Sequence, residues 1–281
     1  MNRKKSKFMI FLSYLVLVTI AVIALFPLLF AIVSSLRPND EIYEFAMPFQ
    51  LHTLIPVKWT LDSYVEIFKE YNFGRPVINT LVVSVITVVT SCLINSVAAF
   101  GFSTFEFRFK KILYGFVFVS FLMPFESIAI PLYKVVSTLG WVETYQGLIA
   151  PTVTDGLVLF LFVQFFSNIP RSLYESARLD GASWKQIFIS ILVPLSKPVF
   201  VTAALMVFVN QWNSFLWPLL VAHGKNMRLI QVALSDFSSQ HQTLWSNLYA
   251  ASVISALIPL GLFLPFQKYY VQGVVSSGVK G

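Results

Sequence analysis

Charged residues are scarce in this chain. Asp, Glu, Lys and Arg make up only 12% of its 281 residues, whereas hydrophobic residues make up 57%. Soluble domains carry about 25% charged residues. The scarcity of charge therefore excludes an ordinary soluble domain and indicates a protein that is embedded in a lipid bilayer.

Cysteine and histidine are scarce as well. The single cysteine, Cys92, cannot form an internal disulfide, and it lies in an apolar run where it is expected to be an inert apolar residue. The three histidines, His52, His223 and His241, lack the paired spacing of a metal site. Because the sequence also has no clustered catalytic set, we expect neither an enzyme nor a bound cofactor.

Long apolar runs dominate the rest of the sequence. A membrane helix needs about 20 mainly apolar residues. Membrane strands instead alternate polar and apolar residues over about ten positions, and these runs are apolar on every side. The sequence therefore predicts an all-α, polytopic membrane protein with one domain over residues 1–281. Its six predicted membrane helices are 8–35, 77–102, 112–133, 145–169, 198–222 and 244–267.

The positive charges are distributed unevenly between the two sides of the predicted bundle. Of the 20 Lys and Arg residues, 13 fall on the side of the N-terminus and 7 on the other side. Cytoplasmic loops carry such an excess, so both termini are predicted to be cytoplasmic. The net charge of +7 is explained by this orientation, and no nucleic-acid partner is expected. The uncharged run 8–36 exceeds the roughly 7–15 residues of a signal peptide core, which favours a retained first membrane helix.

The polar loop 171–197 separates the fourth and fifth predicted membrane helices. Ser172-x-x-Glu175 and Ser183-x-x-Gln186 have the spacing of capping boxes, in which two side chains bond the free backbone N–H groups of a helix start. Asp180-Gly181 lies between them. The pattern predicts two helices joined at a glycine.

The second predicted helix of this loop is amphipathic. Its apolar residues recur at helical spacing, at Trp184, Ile187, Phe188, Ile191 and Leu195. From the residues alone two interpretations stay open. The helix either docks in a pocket of another protein or lies on the surface of the bilayer.

Polar residues inside the membrane runs are candidates for a translocation path. Asn210, Gln211 and Asn213 lie beside Trp212 and Trp217. Amides can bond sugar hydroxyls and indoles can cover the apolar face of a sugar. The alternative is hydrogen bonding between helices, which contributes about 0.6 kcal/mol on average.

Two acidic residues also fall in or near the membrane runs, where a carboxylate is by default a functional hypothesis. Glu126 follows Met123-Pro124-Phe125 and either lines the translocation cavity or lies at the outer surface, because Pro131 suggests a broken helix. Asp155-Gly156 marks a local break in the fourth run.

The loop resembles the cytoplasmic "EAA" loop of permease subunits of carbohydrate importers in the ATP-binding-cassette superfamily, and in particular the smaller partner of the maltose-type heterodimer. Glu175, Ala177 and Gly181 occupy its acidic, small and glycine positions, while Ser176 replaces the first of two alanines. The resemblance extends over nearly the whole chain, including the stretches Leu179-Asp180-Gly181-Ala182, Met123-Pro124-Phe125, Ile130-Pro131-Leu132, Trp212-Asn213-Ser214-Phe215-Leu216-Trp217-Pro218 and the terminal 273–281.

This resemblance implies a type I importer permease fold with a cytoplasmic coupling helix. It implies as partners cytoplasmic ATP-binding subunits, a second permease subunit and an extracytoplasmic sugar-binding protein. The residues that would contact the ATPase in the loop are Glu175, Ser176, Ala177, Asp180, Gly181 and Ala182. The tail residues Gly278, Lys280 and Gly281 would reach the ATPase interface. The glycines at 273 and 278 have the spacing of a nucleotide-binding phosphate loop, but Val279 stands where that motif requires Lys. The chain itself should therefore not bind nucleotide.

The expected function is therefore that of a permease subunit for ATP-driven, binding-protein-dependent uptake of a sugar or oligosaccharide across the cell membrane. The chain looks most similar to permeases for plant oligosaccharides, with arabinan fragments as the first expectation. One alternative is an ion-gradient-driven transporter, which usually has ionisable relays and repeated halves, but only Glu126 and Asp155 could serve here and no repeat is present. Another is an importer permease for a solute other than a sugar.

Overall fold

The computed structural model describes residues 7–45, 48, 50–238 and 243–278, with side chains from Met9 to Gln267. Within these residues all regular structure is helical, apart from one isolated β-bridge between Ser238 and Thr243. The predicted all-α class is confirmed.

The first part of the chain contains two long helices separated by short ones. Helix α1 extends over Lys7–Ser35, where the sequence predicted 8–35. The connection between α1 and the next long helix contains α2 (Asn39–Glu44), α3 (Leu51–Leu54) and α4 (Asp62–Lys69). Helix α5 (Gly74–Thr104) is longer at both ends than the predicted run 77–102.

The third predicted membrane helix, 112–133, is broken. Helix α6 (Lys110–Leu122) and helix α7 (Phe125–Thr138) meet at an angle of 100°. Met123 is extended, with ψ at 125°, because a residue before proline is disfavoured in the α conformation. The break therefore lies at Pro124, and the expectation that Pro131 breaks the helix was wrong, since Pro131 lies inside α7.

The fourth run is bent, as Asp155-Gly156 suggested. Helix α8 (Tyr145–Ile149) continues in a 3₁₀ turn to Thr152, and α9 (Gly156–Ser167) follows at 46°. The Asp155 carboxylate accepts hydrogen bonds from the N–H groups of Leu157 (2.8 Å) and Val158 (3.2 Å). It thereby satisfies two of the donors that a helix start leaves free.

The polar loop leads directly into the next membrane helix. It contains α10 (Arg171–Leu179), α11 (Trp184–Gln186), a π-helical turn over Ile187–Leu192 and α12 (Val193–Leu195). Helix α13 (Lys197–Trp212) turns away from the preceding segment by 80°. The predicted run 198–222 is thus interrupted after Trp212, and α14 (Leu216–Val221) forms its last part.

The remaining helices are α15 (Ile230–Ser235) and α16 (Trp245–Gly278). Three straight segments in the described part of the chain are long and apolar enough to cross a membrane, and the number of spans rises to as many as six if each of three bent pairs counts as one span. The protein therefore has the predicted polytopic, six-span architecture. The chain forms two compact units, Met1–Gly74 with Ala233–Leu257 and Arg75–Val232 with Ile258–Gly281.

The first unit contains a buried cation. The guanidinium of Arg37 donates to the carbonyl oxygens of His52 (3.2 Å) and Thr53 (3.3 Å). Glu41 accepts from the N–H groups of Val57 and Lys58. These bonds attach α2 to the segment after α3, so buried hydrogen bonds hold together the connection between α1 and α5.

The second unit has two apolar clusters. One contains Phe100, Phe162, Ile187, Leu192 and Ala203, and the other contains Val83, Val136, Leu148, Trp217 and Leu229. In the second cluster the indole N–H of Trp217 donates to the carbonyl of Gly147 at 3.0 Å.

Gly147 is a packing constraint of this second cluster. A Cβ atom at Gly147 would collide with the carbonyl oxygen of Trp141, a rigid backbone atom. Gly147→Ala should therefore lower the midpoint of thermal unfolding, because overpacking costs about 1–3 kcal/mol. Gly115→Ala is the matched control, since a Cβ at Gly115 meets nothing within 4 Å. Equal unfolding midpoints for the two variants in detergent would contradict this packing.

Candidate functional site

The polar loop consists of two helices joined at Gly181, as the sequence predicted. Gly181 has φ of +85°, a left-handed conformation that glycine adopts without steric cost. The N–H of Gly181 donates to the carbonyl of Arg178 (3.1 Å) and that of Ala182 to the carbonyl of Ala177 (2.9 Å). These bonds close α10 and fix the direction of the chain that follows.

Only the second predicted capping box is present. Ser183 and Gln186 bond reciprocally, with the Ser183 N–H donating to Oε1 of Gln186 at 2.7 Å. The predicted capping box of Ser172 and Glu175 was wrong. Pro170 precedes the first helical residue, so Ser172 lies inside α10 and its side chain does not cap the helix. Glu175 is consequently exposed, and among the described residues it forms no ion pair.

Aromatic rings attach the loop to the end of α5. The ring of Phe100 contacts the rings of Tyr174 (6.4 Å between centroids), Trp184 (6.3 Å) and Phe188 (5.4 Å). The ring of Phe105 lies 4.8 Å from that of Trp184. Both helices of the loop are therefore packed against one membrane helix, and we call these five residues the aromatic cluster. Sequence analysis did not identify Phe100 and Phe105, because their role depends on contacts between distant segments.

Arg178 holds the joint between the two helices. Its guanidinium lies 5.2 Å from the centre of the Trp184 ring and donates to the carbonyl of Ala182 at 2.7 Å. Stacking on an aromatic face and hydrogen bonding through a planar fork are both properties of arginine. Arg178 of the first loop helix therefore holds the turn 180–183 through its contacts with Ala182 and Trp184.

The joint between the two loop helices forms an exposed tip. Leu179 is 89% exposed, and it is surrounded in sequence by four exposed residues of the predicted ATPase contact, Glu175, Ser176, Asp180 and Gly181. We call these five residues the tip surface. The other two predicted contact residues point elsewhere, because Ala177 is buried in the first apolar cluster and Ala182 packs against that cluster.

The apolar stripe of the second loop helix covers the chain's own core. Ile187 and Leu192 are fully buried, whereas Trp184 and Leu195 are partly exposed. The predicted α-helical spacing was wrong here, because the π-helical turn places residues five apart on one face. Pro194 has no N–H with which to close an α-helical bond to the residue four positions earlier, which favours the wider turn.

An ion-pair network links the loop to the segment between α5 and α6. Glu106 contacts Lys110 at 3.0 Å and Arg171 at 3.4 Å. The hydrogen bond from Lys110, helped by its charge and by Arg171, lowers the pKa of Glu106 below its usual value. The carboxylate is exposed, and exposed pairs contribute little to stability, so the network orients these side chains more than it stabilises the fold.

Polar side chains from α5, from α13 and from the residue that caps α9 line a cavity of about 300 Å³. Its polar lining includes Thr87, Asp155, Asn210, Gln211, Ser214 and Trp217. Gln211 is only 5% exposed, and its amide nitrogen has no hydrogen-bond partner in the described structure. A second cavity of about 740 Å³ shares Asp155 and Asn210 and is also lined by Asn213.

The other predicted path residues lie outside these cavities. Trp212 is buried and stacks on Phe208, with 5.5 Å between ring centroids. Glu126 is exposed in the first turn of α7, and its neighbour Phe125 lines the smaller cavity instead. Asp155, which the sequence marks both as a break and as an acidic residue of possible function, lines both cavities.

The predicted tail contact lies mostly outside the described residues. Helix α16 continues to Gly278, beyond the predicted end of the sixth run at 267. Lys280 and Gly281 lie outside the described part of the chain.

Comparison with known proteins identifies relatives over almost the whole length. The chain is 30% identical over 263 residues to the arabinooligosaccharides transport system permease protein AraQ of Bacillus subtilis, covering 93% of this chain and 92% of that protein. It is also 30% identical to the sn-glycerol-3-phosphate transport system permease protein UgpE of Rhizobium meliloti, covering 95% and 96% of the two chains.

The fold is also similar to that of a solved transporter. A chain of a bacterial ABC transporter involved in the import of the acidic polysaccharide alginate superposes with a TM-score of 0.81, at 20% sequence identity, covering 96% of this chain and 99% of that one. Residues 91–275, which contain the loop and all the named polar lining of the smaller cavity except Thr87, match a single family description. The chain therefore belongs to the family of binding-protein-dependent transport system inner membrane components.

Proposed function

We propose that this chain is one permease subunit of an ATP-driven importer that takes up a neutral sugar or oligosaccharide across the cell membrane. The observation that carries the proposal is the combination of an exposed tip surface with a polar cavity in one compact unit. A cytoplasmic ATPase acts on the tip surface, a second permease subunit completes the pathway, and an extracytoplasmic binding protein delivers the sugar.

The loop 171–197 faces the cytoplasm in this proposal, together with both termini. The support is the excess of Lys and Arg on that side of the bundle. The tail residues Gly278, Lys280 and Gly281 are then on the same side as the ATPase, and we assign them a contact with its interface.

The tip surface is the part of the chain suited to docking. An almost fully exposed leucine beside a free carboxylate offers an apolar anchor and a charge to a complementary pocket. Buried apolar anchors typically dominate the energy of such interfaces. Because Ala177 and Ala182 pack inward, they support the tip surface from behind rather than contact the ATPase.

The aromatic cluster transmits the movement of the docked loop. Phe100 lies on α5 and contacts rings from both loop helices. A well-packed cluster is rigid on the time average and transmits strain. A displacement of the tip surface is therefore passed to a membrane-spanning helix.

The cavity lining favours a neutral solute. Among the described residues that line the two cavities there is one carboxylate, Asp155, and no Lys, Arg or His. Phosphate groups are typically held by Arg or Lys, so the cavity is poorly suited to a glycerol phosphate. Amides, hydroxyls and an indole suit the hydroxyls and the apolar face of a sugar, and an arabinose-containing oligosaccharide is the first candidate because one relative is named for such substrates.

A complete system tests this proposal. The subunit is purified with its ATPase, second permease and binding protein and reconstituted in proteoliposomes. We expect uptake of labelled oligosaccharide only when ATP is available to the ATPase and the binding protein is present. Uptake that persists without ATP and disappears with an ionophore would instead identify an ion-gradient-driven transporter.

Loss of the Glu175 carboxylate should weaken docking without affecting the fold. Glu175 is exposed and caps no helix, so Glu175→Ala should leave the unfolding midpoint unchanged while lowering recovery of the ATPase with the complex and sugar-stimulated ATP hydrolysis. Ser172→Ala, an exposed residue of the same helix, is the control and should behave as wild type. If ATPase recovery and stimulation are normal in Glu175→Ala, the docking role of this residue is refuted.

Removal of the Phe100 ring should uncouple ATP hydrolysis from uptake. Phe100→Ala removes the common partner of three aromatic rings, and such a change in a core costs about 3–5 kcal/mol. We expect faster tryptic cleavage within the loop and ATP hydrolysis that no longer supports uptake. The control is Phe116→Ala on α6, since Phe116 is 69% exposed. Coupled uptake at the wild-type rate in Phe100→Ala would exclude the aromatic cluster as the connection.

The free amide of Gln211 distinguishes a substrate role from a structural one. Gln211→Leu removes a buried donor that has no partner in the described structure, so the protein should be as stable as wild type or more stable. Uptake should nevertheless fall by up to about tenfold, the value of one hydrogen bond. Asn168→Ala, which removes an amide outside the cavity, is the control for uptake. Reduced stability together with normal uptake would show that Gln211 is structural.

A further inference from the structure

A second polar pocket lies at the loop end of the membrane helices, separate from the cavity of the proposed pathway. It has a volume of about 330 Å³ and lies where the ends of α5 and α9 meet the beginnings of α6 and α10. The residues that line it include Phe102, Lys110, Lys111, Tyr114, Arg171 and Tyr174. Neither the predicted functions nor the relatives assign a role to it.

One side of the pocket is rich in hydrogen-bond donors and positive charge. Three cations line it, Lys110, Lys111 and Arg171. Tyr174 is only 6% exposed, and its hydroxyl has no hydrogen-bond partner in the described structure. The hydroxyl of Tyr114 is likewise buried without a partner there. A buried polar group without a partner is costly, so two such hydroxyls in one cationic pocket indicate a missing acceptor.

The nearby carboxylate does not neutralise the pocket. Glu106 pairs with Lys110 and Arg171, but its side chain is 70% exposed and is not part of the lining. Among the described residues no carboxylate pairs with Lys111. Burial raises the pKa of Tyr174, so its hydroxyl keeps the proton that it can donate. The pocket therefore has a net positive charge and free donors.

Another part of the lining is apolar and belongs to the membrane helices α5 and α9. Phe102 lies in the last turn of α5, and Val163 and Phe166 lie on α9, the second half of a bent span. A free anion in water would gain nothing from such a wall. A lipid has a phosphate for the cations and acyl chains for the apolar side, and basic pockets between membrane helices are known to hold anionic headgroups.

We propose that this pocket binds the phosphate headgroup of an anionic phospholipid from the inner leaflet. Lys111 and Arg171 provide positive charge, and the hydroxyls of Tyr174 and Tyr114 donate hydrogen bonds to phosphate oxygens. The glycerol and acyl chains lie along Phe102 and Val163. The bound lipid connects α10 to α5 and α6. It thus holds the loop in its resting position from the membrane side, beside the aromatic cluster.

Lipid retention by the intact complex tests this site. The complex is prepared in nanodiscs of phosphatidylcholine with increasing phosphatidylglycerol, and retained phosphatidylglycerol is counted by native mass spectrometry after release. Lys111→Gln should weaken retention by about fivefold, the effect of removing one interfacial cation. Tyr174→Phe removes only the hydroxyl and keeps the ring against Phe100, so it should fold normally and weaken retention by about two- to tenfold.

The control is Arg108→Gln, which removes a cation from the same connecting segment without altering the pocket, since Arg108 lies over the Phe109 ring. Retention equal to wild type in this variant and weaker retention in the two pocket variants would support the site. Equal retention in all four proteins would overturn it, because the lipid would then be held by general surface attraction. Displacement of the lipid by millimolar inorganic phosphate alone would assign the pocket to a soluble anion and would also overturn the proposal.

Discussion

The packing of Phe100 between the two loop helices is the contact on which the rest of the structure depends. The loop is polar at its tip and lies between α9 and α13 along the chain, and side-chain contacts attach it to a third helix. Phe100 provides that attachment, because its ring contacts Tyr174 from the first loop helix and Trp184 and Phe188 from the second. Arg178 then fixes the angle between the two helices by stacking on Trp184 and bonding the carbonyl of Ala182. Both loop helices are therefore packed as one unit against the end of α5.

The sequence predicted those features that depend on neighbours along the chain. The left-handed Gly181, the Ser183 cap and the break at Asp155 follow from residue types within four positions. The six-span count follows from apolar composition, because a bilayer accepts only helices of sufficient length. The Ser172 cap failed because Pro170 started the helix earlier. Two local signals for a helix start therefore competed here. The proline set the first helical residue, and the serine cap was not formed.

Features that depend on distant residues were not accessible from the sequence. The π-helical turn adds Leu192 to the buried face formed by Ile187, Phe188 and Ile191 of the predicted stripe and leaves Leu195 exposed. The cavity unites Asp155, the N-cap of α9, with Asn210 and Gln211 of α13, so a residue at a helix break is also a lining group. The same bend that needs Asp155 as a cap opens the space beside it. A polar group at membrane depth can cap a helix and line a cavity at once, and its contacts in space, which the sequence does not show, decide which of these it does.

The central claim is that the tip surface and α5 move together. It is tested most directly by the distance between spin labels at Ser176→Cys on the tip surface and Val97→Cys on α5, in a Cys92→Ser background, within the complete complex before and after ATP binding. We expect a single narrow distance between these two labels that does not change with ATP. The distance from Ser176→Cys to a label on the second permease subunit should change. A Ser176–Val97 distance that broadens or shifts on ATP binding would contradict it, because the loop would then move independently of the membrane helix.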